Sequence, residues 1–358
     1  MTRLLVVAAG TGGHVYPALA VAERLRSMGV DVSWLGTAVG IESRLVPAAG
    51  FPFHVSKVAG LRGKGAARWL AAPLLLLRSA LRSVAVLARV RPQVVLGMGG
   101  YGAGPGGLVA RMIGIPLVIH EQNAVPGLTN RILARFATRV LEAFPTSFAP
   151  ARRAIHTGNP VREALVHAPA PGARLARRED RLRVLVIGGS QGARVLNEVV
   201  PRALAIDSLA TRVVVRHQCG PAHVDAARDA YAALGVDAEV TGYIEDMGAA
   251  YAWTDVAVCR AGAMTVAELA AVGVASILVP FPYATDDHQH RNARWLADRA
   301  GALLLPEDRL DAGSLAAILD DLHGDRERVE AMARAAYDTA VRDATQRVAD
   351  HCLEVARG

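Results

Sequence analysis

The chain has 358 residues, 52% hydrophobic and 20% charged, a balance that supports packed cores of two-domain size and excludes a disordered or low-complexity protein. Its three cysteines, Cys219, Cys259 and Cys352, are widely spaced with no C-x-x-C pair, which argues against a disulfide framework or a zinc site and fits a reducing compartment. Net charge is +7 but uneven: residues 1–160 carry 18 Lys and Arg against 5 Asp and Glu (+13), and residues 161–358 carry 22 against 28 (−6).

The first predicted element is a strand over 4–9. It is too short for a signal-peptide core, and no apolar run approaches the ~20 residues of a membrane span, so the chain reads as neither secreted nor transmembrane. Gly10-Thr11-Gly12-Gly13-His14 follows directly, ahead of a helix over 16–28. Glycines permit positive φ and close approach of backbone to ligand, and amides at a helix start attract anions. His14 adds a proton acceptor there. Strands at 30–35, 94–96, 117–119 and 139–141 alternate with helices near 73–90, 105–113 and 127–136.

Between Glu42 and Glu121 there is no carboxylate, while ten Lys and Arg lie in that interval. Such a field expects an anionic partner, with nucleic acid, acidic lipid and a pyrophosphate substrate all open. Within it, 69–90 sets Leu76, Leu77, Leu81, Val84 and Leu87 on one helical face and Arg78, Arg82 and Arg89 on another, beside Trp69. This fits a helix docked at a membrane interface, and also a buried crossover helix. A third glycine-rich junction, 97–107, follows the strand at 94–96; it serves either close helix–sheet packing or an acceptor-side surface at Gly100, Tyr101 and Gly102. The loop His120-Glu121-Gln122-Asn123 offers Asn123 as a sugar-hydroxyl partner, with Glu121 structural or on the acceptor side.

The opening pattern recurs at 182–194, where a strand runs into Gly188-Gly189-Ser190-Gln191-Gly192 and then a helix. Pro169-Ala170-Pro171-Gly172 and the charge-dense stretch 174–183 read as a linker region. Strands near 184–187, 212–217, 238–240, 256–258 and 276–279 repeat the alternation. Two parallel α/β sheets facing a cleft are expected, with domains at 1–163 and 164–340 and a terminal helix, 341–358, packing back on the first. Arg260-Ala261-Gly262-Ala263-Met264-Thr265-Val266-Ala267-Glu268 reads as loop, then helix start: the amides near Ala263 to Thr265 suit phosphate, and Glu268 suits a ribose diol or caps its own helix. Asp286-Asp287-His288-Gln289-His290 mixes with Arg and amides in a way that disfavours metal binding.

The first glycine loop with its histidine, Gly-Gly-Ser-Gln-Gly at 188–192, the 260–268 motif, His288-Gln289-His290-Arg291-Asn292-Ala293, the stretch 120–127 and Gly158-Asn159-Pro160-Val161-Arg162 together resemble one family. It comprises the bacterial N-acetylglucosaminyltransferases of peptidoglycan synthesis, which convert lipid I to lipid II with UDP-N-acetylglucosamine. Ala9 and Cys259 depart from the commoner glycine and serine. The resemblance implies a two-Rossmann, GT-B type, inverting transferase needing no metal or cofactor. It implies His14 as general base, and Thr11, Gly12, Gly13, Asn123 and Gln289 around the sugar. Arg162 and the backbone at Ile244 would lie near uracil, Ser190 and the Ala263 to Thr265 amides at the diphosphate, Val266 and Ala267 among the donor-binding residues, and Glu268 on the ribose. The partners implied are UDP-N-acetylglucosamine, lipid I and an anionic membrane at its cytoplasmic face, and not nucleic acid. The alternatives are another UDP-sugar enzyme of this fold, such as an epimerase, or a basic lipid- or nucleic-acid-binding module.

Overall fold

The computed structural model describes residues 1–56, 66–100, 102–176 and 180–358, with side chains described outside 66–76 and 208. Tyr101 and the side chains of Trp69 and Leu76 therefore lie outside the described residues. The chain forms two compact units, one of Met1–Arg162 with Val341–Gly358 and one of Glu163–Ala340.

The first unit holds β1 (Arg3–Val7), β2 (Asp31–Thr37), β3 (Phe53–Ser56), β4 (Val94–Gly97), β5 (Leu117–Glu121), β6 (Arg139–Glu142) and β7 (Ile155–His156). They form one parallel sheet in the order β3-β2-β1-β4-β5-β6-β7. Central β1 sets Val6 opposite both Trp34 and Leu96, and all three are fully buried. Continuous apolar strands of this kind need helices on both faces. One face is covered in part by the helix Ala344–Arg357, whose Val348, Ala349, Cys352 and Leu353 pack with Val15, Ala18, Ala22 and Leu25 of the helix Gly12–Ser27.

The second unit holds β8 (Leu182–Ile187), β9 (Val213–Gln218), β10 (Glu239–Thr241), β11 (Val256–Cys259), β12 (Ala275–Leu278) and β13 (Ala302–Leu304), parallel in the order β10-β9-β8-β11-β12-β13. In each sheet the strand order reverses beside the first strand of the unit, between β1 and β4 and between β8 and β11. Ligands of open α/β sheets bind at such reversals, outside the carboxyl ends of the strands, and a glycine loop leaves the strand at each.

Three strands, β3, β7 and β13, were not expected from the sequence. All lie at sheet edges and are two to four residues long, too short to show a strand period even where, as in β13, every residue is apolar. The stretch expected as a linker is instead built into the second unit. Pro171–Leu175 is helical, Leu175 joins the core, and the buried Arg174 donates to the carbonyls of Thr254 and Gly273. Burial pushes that guanidinium down to about 10. The terminal helix expected over 341–358 is Ala344–Arg357, set off from the helix Arg326–Thr339 by Ala340 in an extended conformation.

Candidate functional site

In the first unit, β1 ends where Gly10 turns at φ +111. The Gly10 N–H donates to the Glu42 carboxylate (3.2 Å), which also accepts the amide (2.9 Å) and hydroxyl (2.6 Å) of Thr37. Glu42 is fully buried, so this carboxylate is a fixed strut beneath the loop. Thr11 is the exposed cap residue of Gly12–Ser27, and His14 stands half-buried in the first turn. The glycine-rich loop after β4 fits against β1's loop: a Cβ on Gly100 would lie 2.0 Å from the Ala9 carbonyl oxygen, and one on Gly102 2.7 Å from the Ala9 Cβ. Of the two readings of this loop, close packing or an acceptor-side surface, the packing is seen directly: Gly100 lies against the Ala9 backbone and Gly102 against its side chain.

Of the two readings of Glu121, structural or acceptor-side, its contacts in the fold match the structural one. It is 1% exposed, and its oxygens accept Asn123 N (2.9 Å), Asn123 Nδ2 (3.3 Å), Gly127 N (3.1 Å) and Asn130 Nδ2 (3.0 Å). It shapes the 121–127 loop and thereby holds Asn123. His14 Nδ1 lies 2.9 Å from Gln122 Oε1. Arg162, at the end of the unit's first stretch, sits over the ring of Tyr16 at 5.7 Å.

In the second unit a cavity of about 750 Å³ opens at the β8/β11 reversal, lined by the loop 188–193 together with Arg260, Gly262, Thr265, Phe281, Gln289 and Glu307. The loop requires its glycines. Gly189 and Gly192 have φ of +82 and +78, and a Cβ on Gly192 would lie 1.9 Å from the Cys219 carbonyl oxygen. The helix Ala263–Val272 starts at the cavity from cap residue Gly262. Met264 and Thr265 occupy its first turn, where amides have no acceptor within the helix, whereas the Val266 N–H already donates to the Gly262 carbonyl. Val266 is therefore a core residue of this helix rather than a ligand contact, its side chain being fully buried.

Ser190 and Gln289 both line the cavity, and Gln289 Oε1 accepts the Phe281 amide at 3.0 Å. Glu268 lies beyond the first turn and receives the Tyr251 hydroxyl at 3.2 Å; Ala267 is half-buried beside it. Ile244 is half-buried in the loop between β10 and the helix Met247–Trp253. Arg260 was read as part of a motif but not as a site residue. It lines the cavity, pairs with Glu307 (2.5 Å) and lies over Phe281. An arginine directly after a buried strand at a sheet reversal is the signal that would have found it. Among the described residues, no three His, Cys, Asp or Glu side chains gather into a metal-ligating set.

In the described part of the helix Ala66–Val90, residues 77–90, apolar side chains face outward. Leu77 (56%), Leu81 (61%) and Val84 are exposed, whereas the inward side carries Ser79, Ser83 and Leu87. Ser79 bonds Ser56 across the packing surface at 3.0 Å. Leu87, placed by its spacing on one face with Leu77, Leu81 and Val84, belongs to the core. Two further helices continue the exposed apolar surface. Ala103–Met112 packs on Ala66–Val90 and leaves Leu108 and Met112 exposed with adjoining Ile113; Leu128–Leu133 packs on Ala103–Met112 and leaves Leu128 and Ile132 exposed, with Phe136 just beyond. Arg78, Arg82, Arg89, Arg111, Arg131 and Arg135 are exposed on the same three segments. Among the described residues no helix is long and apolar enough to cross a membrane.

Residues 4–142 match the glycosyltransferase family 28 N-terminal domain and residues 183–348 the family 28 C-terminal domain. The UDP-N-acetylglucosamine--N-acetylmuramyl-(pentapeptide) pyrophosphoryl-undecaprenol N-acetylglucosamine transferase of Aeromonas hydrophila subsp. hydrophila is 53% identical over 99% of this chain and 97% of its own length. The crystal structure of Acinetobacter baumannii MurG superposes with a TM-score of 0.83 at 38% identity, covering 99% of this chain and 100% of that one. The UDP-GlcNAc 2-epimerase of Neisseria meningitidis, at 13% identity and a TM-score of 0.70 over 99% of this chain and 100% of its own, shares the fold alone. A GT-B glycosyltransferase fold with family 28 sequence in both halves, and 53% identity along almost its whole length, mean that the chain belongs to the family of UDP-N-acetylglucosamine--N-acetylmuramyl-(pentapeptide) pyrophosphoryl-undecaprenol N-acetylglucosamine transferases.

Proposed function

We propose that the protein transfers N-acetylglucosamine from UDP-N-acetylglucosamine to the C4 hydroxyl of the muramyl sugar of lipid I, giving lipid II for the cell wall. The observation that carries this is the 53% identity to a transferase of that name along the whole chain, with every glycine loop of the resemblance present as a strand-to-helix turn. The second unit takes the nucleotide sugar: Ser190 and the first-turn amides at Met264 and Thr265 meet the diphosphate, Glu268 the ribose hydroxyls, and Gln289 the sugar. The resemblance adds Thr11, Gly12, Gly13 and Asn123 as candidates for the sugar, and Arg162 and the backbone at Ile244 as candidates for the uracil.

His14 accepts the proton of the C4 hydroxyl as its oxygen attacks C1 of the donor sugar. The C1–O bond to the diphosphate breaks with inversion, and UDP departs with the bonding pair. Helix N-terminal dipoles and loop amides stabilise that charge. The test is transfer of labelled sugar from UDP-N-acetylglucosamine to a lipid I analogue, with and without chelator. Transfer is expected in both arms. His14→Ala is expected to lower kcat by roughly 10² to 10⁴ with donor affinity retained; near-normal turnover in that variant would remove His14 from the base role.

The acceptor carries an undecaprenyl tail, and we infer that the exposed apolar surface of Ala66–Val90, Ala103–Met112 and Leu128–Leu133, rimmed by arginines, docks the enzyme on the anionic cytoplasmic leaflet as a peripheral protein. A helix that turns serines inward and leucines outward supports this reading over that of an ordinary crossover helix.

A further inference from the structure

Strand β5 runs through His120 and Glu121 into Gln122, and the backbone there is pinned: the Gln122 carbonyl accepts Asn159 Nδ2 at 2.9 Å and the His120 carbonyl accepts Asn130 Nδ2 at 3.0 Å. The His120 ring is wholly buried, with Nε2 2.9 Å from the carbonyl oxygen of Gly158. A carbonyl only accepts, so Nε2 carries the hydrogen. Burial pushes this imidazole down to about 4, so near neutral pH it is uncharged and Nδ1 bears a lone pair.

One end of the Gln122 amide lies 3.1 Å from that Nδ1 and 3.2 Å from the His120 carbonyl oxygen. Both neighbours are acceptors, so this end is the NH₂ group; a flipped amide would set oxygen against two acceptors. The other end, the carbonyl oxygen Oε1, lies 2.9 Å from His14 Nδ1. It can only accept, so His14 Nδ1 carries a hydrogen and the lone pair of the neutral ring is at Nε2. Gly99, at φ +87, backs the ring so closely that a Cβ there would come within 3.0 Å of Nδ1 and 3.1 Å of Cε1.

We propose that Gln122, oriented by His120 and the Gly158 carbonyl, is a positioning residue that fixes His14 as its Nδ1–H tautomer and presents the Nε2 lone pair as the proton acceptor. The kinetic part of this inference rests on the base role of His14, but the tautomer does not. A base whose second nitrogen is left unassigned spends part of its time with the wrong nitrogen protonated, and a fixed partner removes that loss. The direction of the chain follows from one fact at its far end, that a backbone carbonyl cannot donate.

The test begins with the unmodified full-length protein. Two-bond ¹H–¹⁵N spectra of its imidazoles, assigned for His14 by comparison with His14→Ala, should show Nδ1 protonated and Nε2 bare at a pH where the ring is neutral. A protonated Nε2 would overturn the proposal without recourse to any variant. Gln122→Leu should then give His14 a mixed tautomer signal, and its kcat should fall roughly ten- to hundredfold with KM for UDP-N-acetylglucosamine within about twofold. An unchanged tautomer in Gln122→Leu would also overturn it. In a His14→Ala background, Gln122→Leu should cost nothing further; an equal loss in both backgrounds would mean that Gln122 acts otherwise than through His14. Full activity of His14→Ala together with the expected tautomer would instead refute only the base role.

Discussion

Single residues in both units do their work by being held, and several of the holding groups are buried acids and histidines whose partners are amides, hydroxyls and carbonyls. Glu42 and Glu121 are spent on amides and hydroxyls of functional loops, and Glu142 accepts the amides of Thr146 (2.9 Å) and Phe148 (3.1 Å) in the same way. In the second unit His217 bridges Tyr231 (2.9 Å) and Asn197 (3.0 Å), and Asn197 in turn donates to the Cys219 carbonyl against which Gly192 lies. Burial depresses both His120 and His217 from an ordinary value of 6.5 to about 4. The unfolded chain therefore takes up two protons that the folded one excludes, so stability is complete above about pH 6.5 and is lost as pH falls from there towards about 4. Melting temperature measured across this window should drop with acidity, and the slope should be shallower in His217→Leu; equal slopes would mean that His217 titrates normally in the folded protein. Glu268→Ala should raise KM for UDP-N-acetylglucosamine roughly 10- to 100-fold and erase the preference over the 2′-deoxy donor, whereas Tyr251→Phe, which removes the 3.2 Å bond to Glu268, should move KM less in the same direction. An unaltered 2′-deoxy discrimination in Glu268→Ala would take the ribose contact away from it.

The two kinds of helix in the first unit divide the labour. Gly12–Ser27 turns Val15, Ala18, Val21, Ala22 and Leu25 inward and is core, as its spacing suggests. Ala66–Val90 does the opposite, and only the positions of its neighbours reveal which side is covered. Leu81→Ser and Met112→Ser, at 61% and 76% exposure, should weaken co-sedimentation with anionic vesicles at high as well as low salt. Their melting temperatures should stay close to the unmodified protein's, because exposed sites typically change stability by about 0.5 kcal/mol or less. Changing Arg78, Arg82 and Arg89 to glutamine should instead weaken only the low-salt component, since attraction between exposed charges is screened over about 8 Å at physiological ionic strength. A lowered melting temperature with unchanged vesicle binding in the leucine and methionine variants would locate docking elsewhere.

For the whole molecule, the charge asymmetry is sharper in space than in sequence. Of the five carboxylates among residues 1–160, Glu42, Glu121 and Glu142 are buried, which leaves Glu23 and Asp31 as the exposed ones beside a largely exposed set of arginines. The chain's return to the first unit at Val341 has an energetic consequence. Burial of Val348 and Leu353 there contributes roughly 3–6 kcal/mol, a large share of a typical domain's stability of about 5–15 kcal/mol. A fragment of residues 163–340 should therefore fold alone and bind UDP, while residues 1–162 alone should not fold cooperatively unless 341–358 is restored. Cooperative melting of the 1–162 fragment by itself would contradict this.

Much of this was legible in the residues because it is local. Strand, glycine loop and helix succeed one another within about twenty positions at 4–27 and 182–204, and a backbone that must turn at positive φ demands glycine whatever lies around it. Family membership rested on several such loops in order. What depends on distant partners was not legible. The edge strands β3, β7 and β13 exist only by pairing, and the choice between packing and ligand contact at Glu121 and Gly100 stayed open until their neighbours were placed. The direction of the His14 proton is the extreme case. It is decided by Gly158, 144 positions away, through His120 and Gln122, and the fold is what sets the Gly158 carbonyl at one end of that pair and His14 at the other. Period and turn chemistry act between near neighbours and can be read from order alone; burial and hydrogen-bond direction act between whatever the fold brings together.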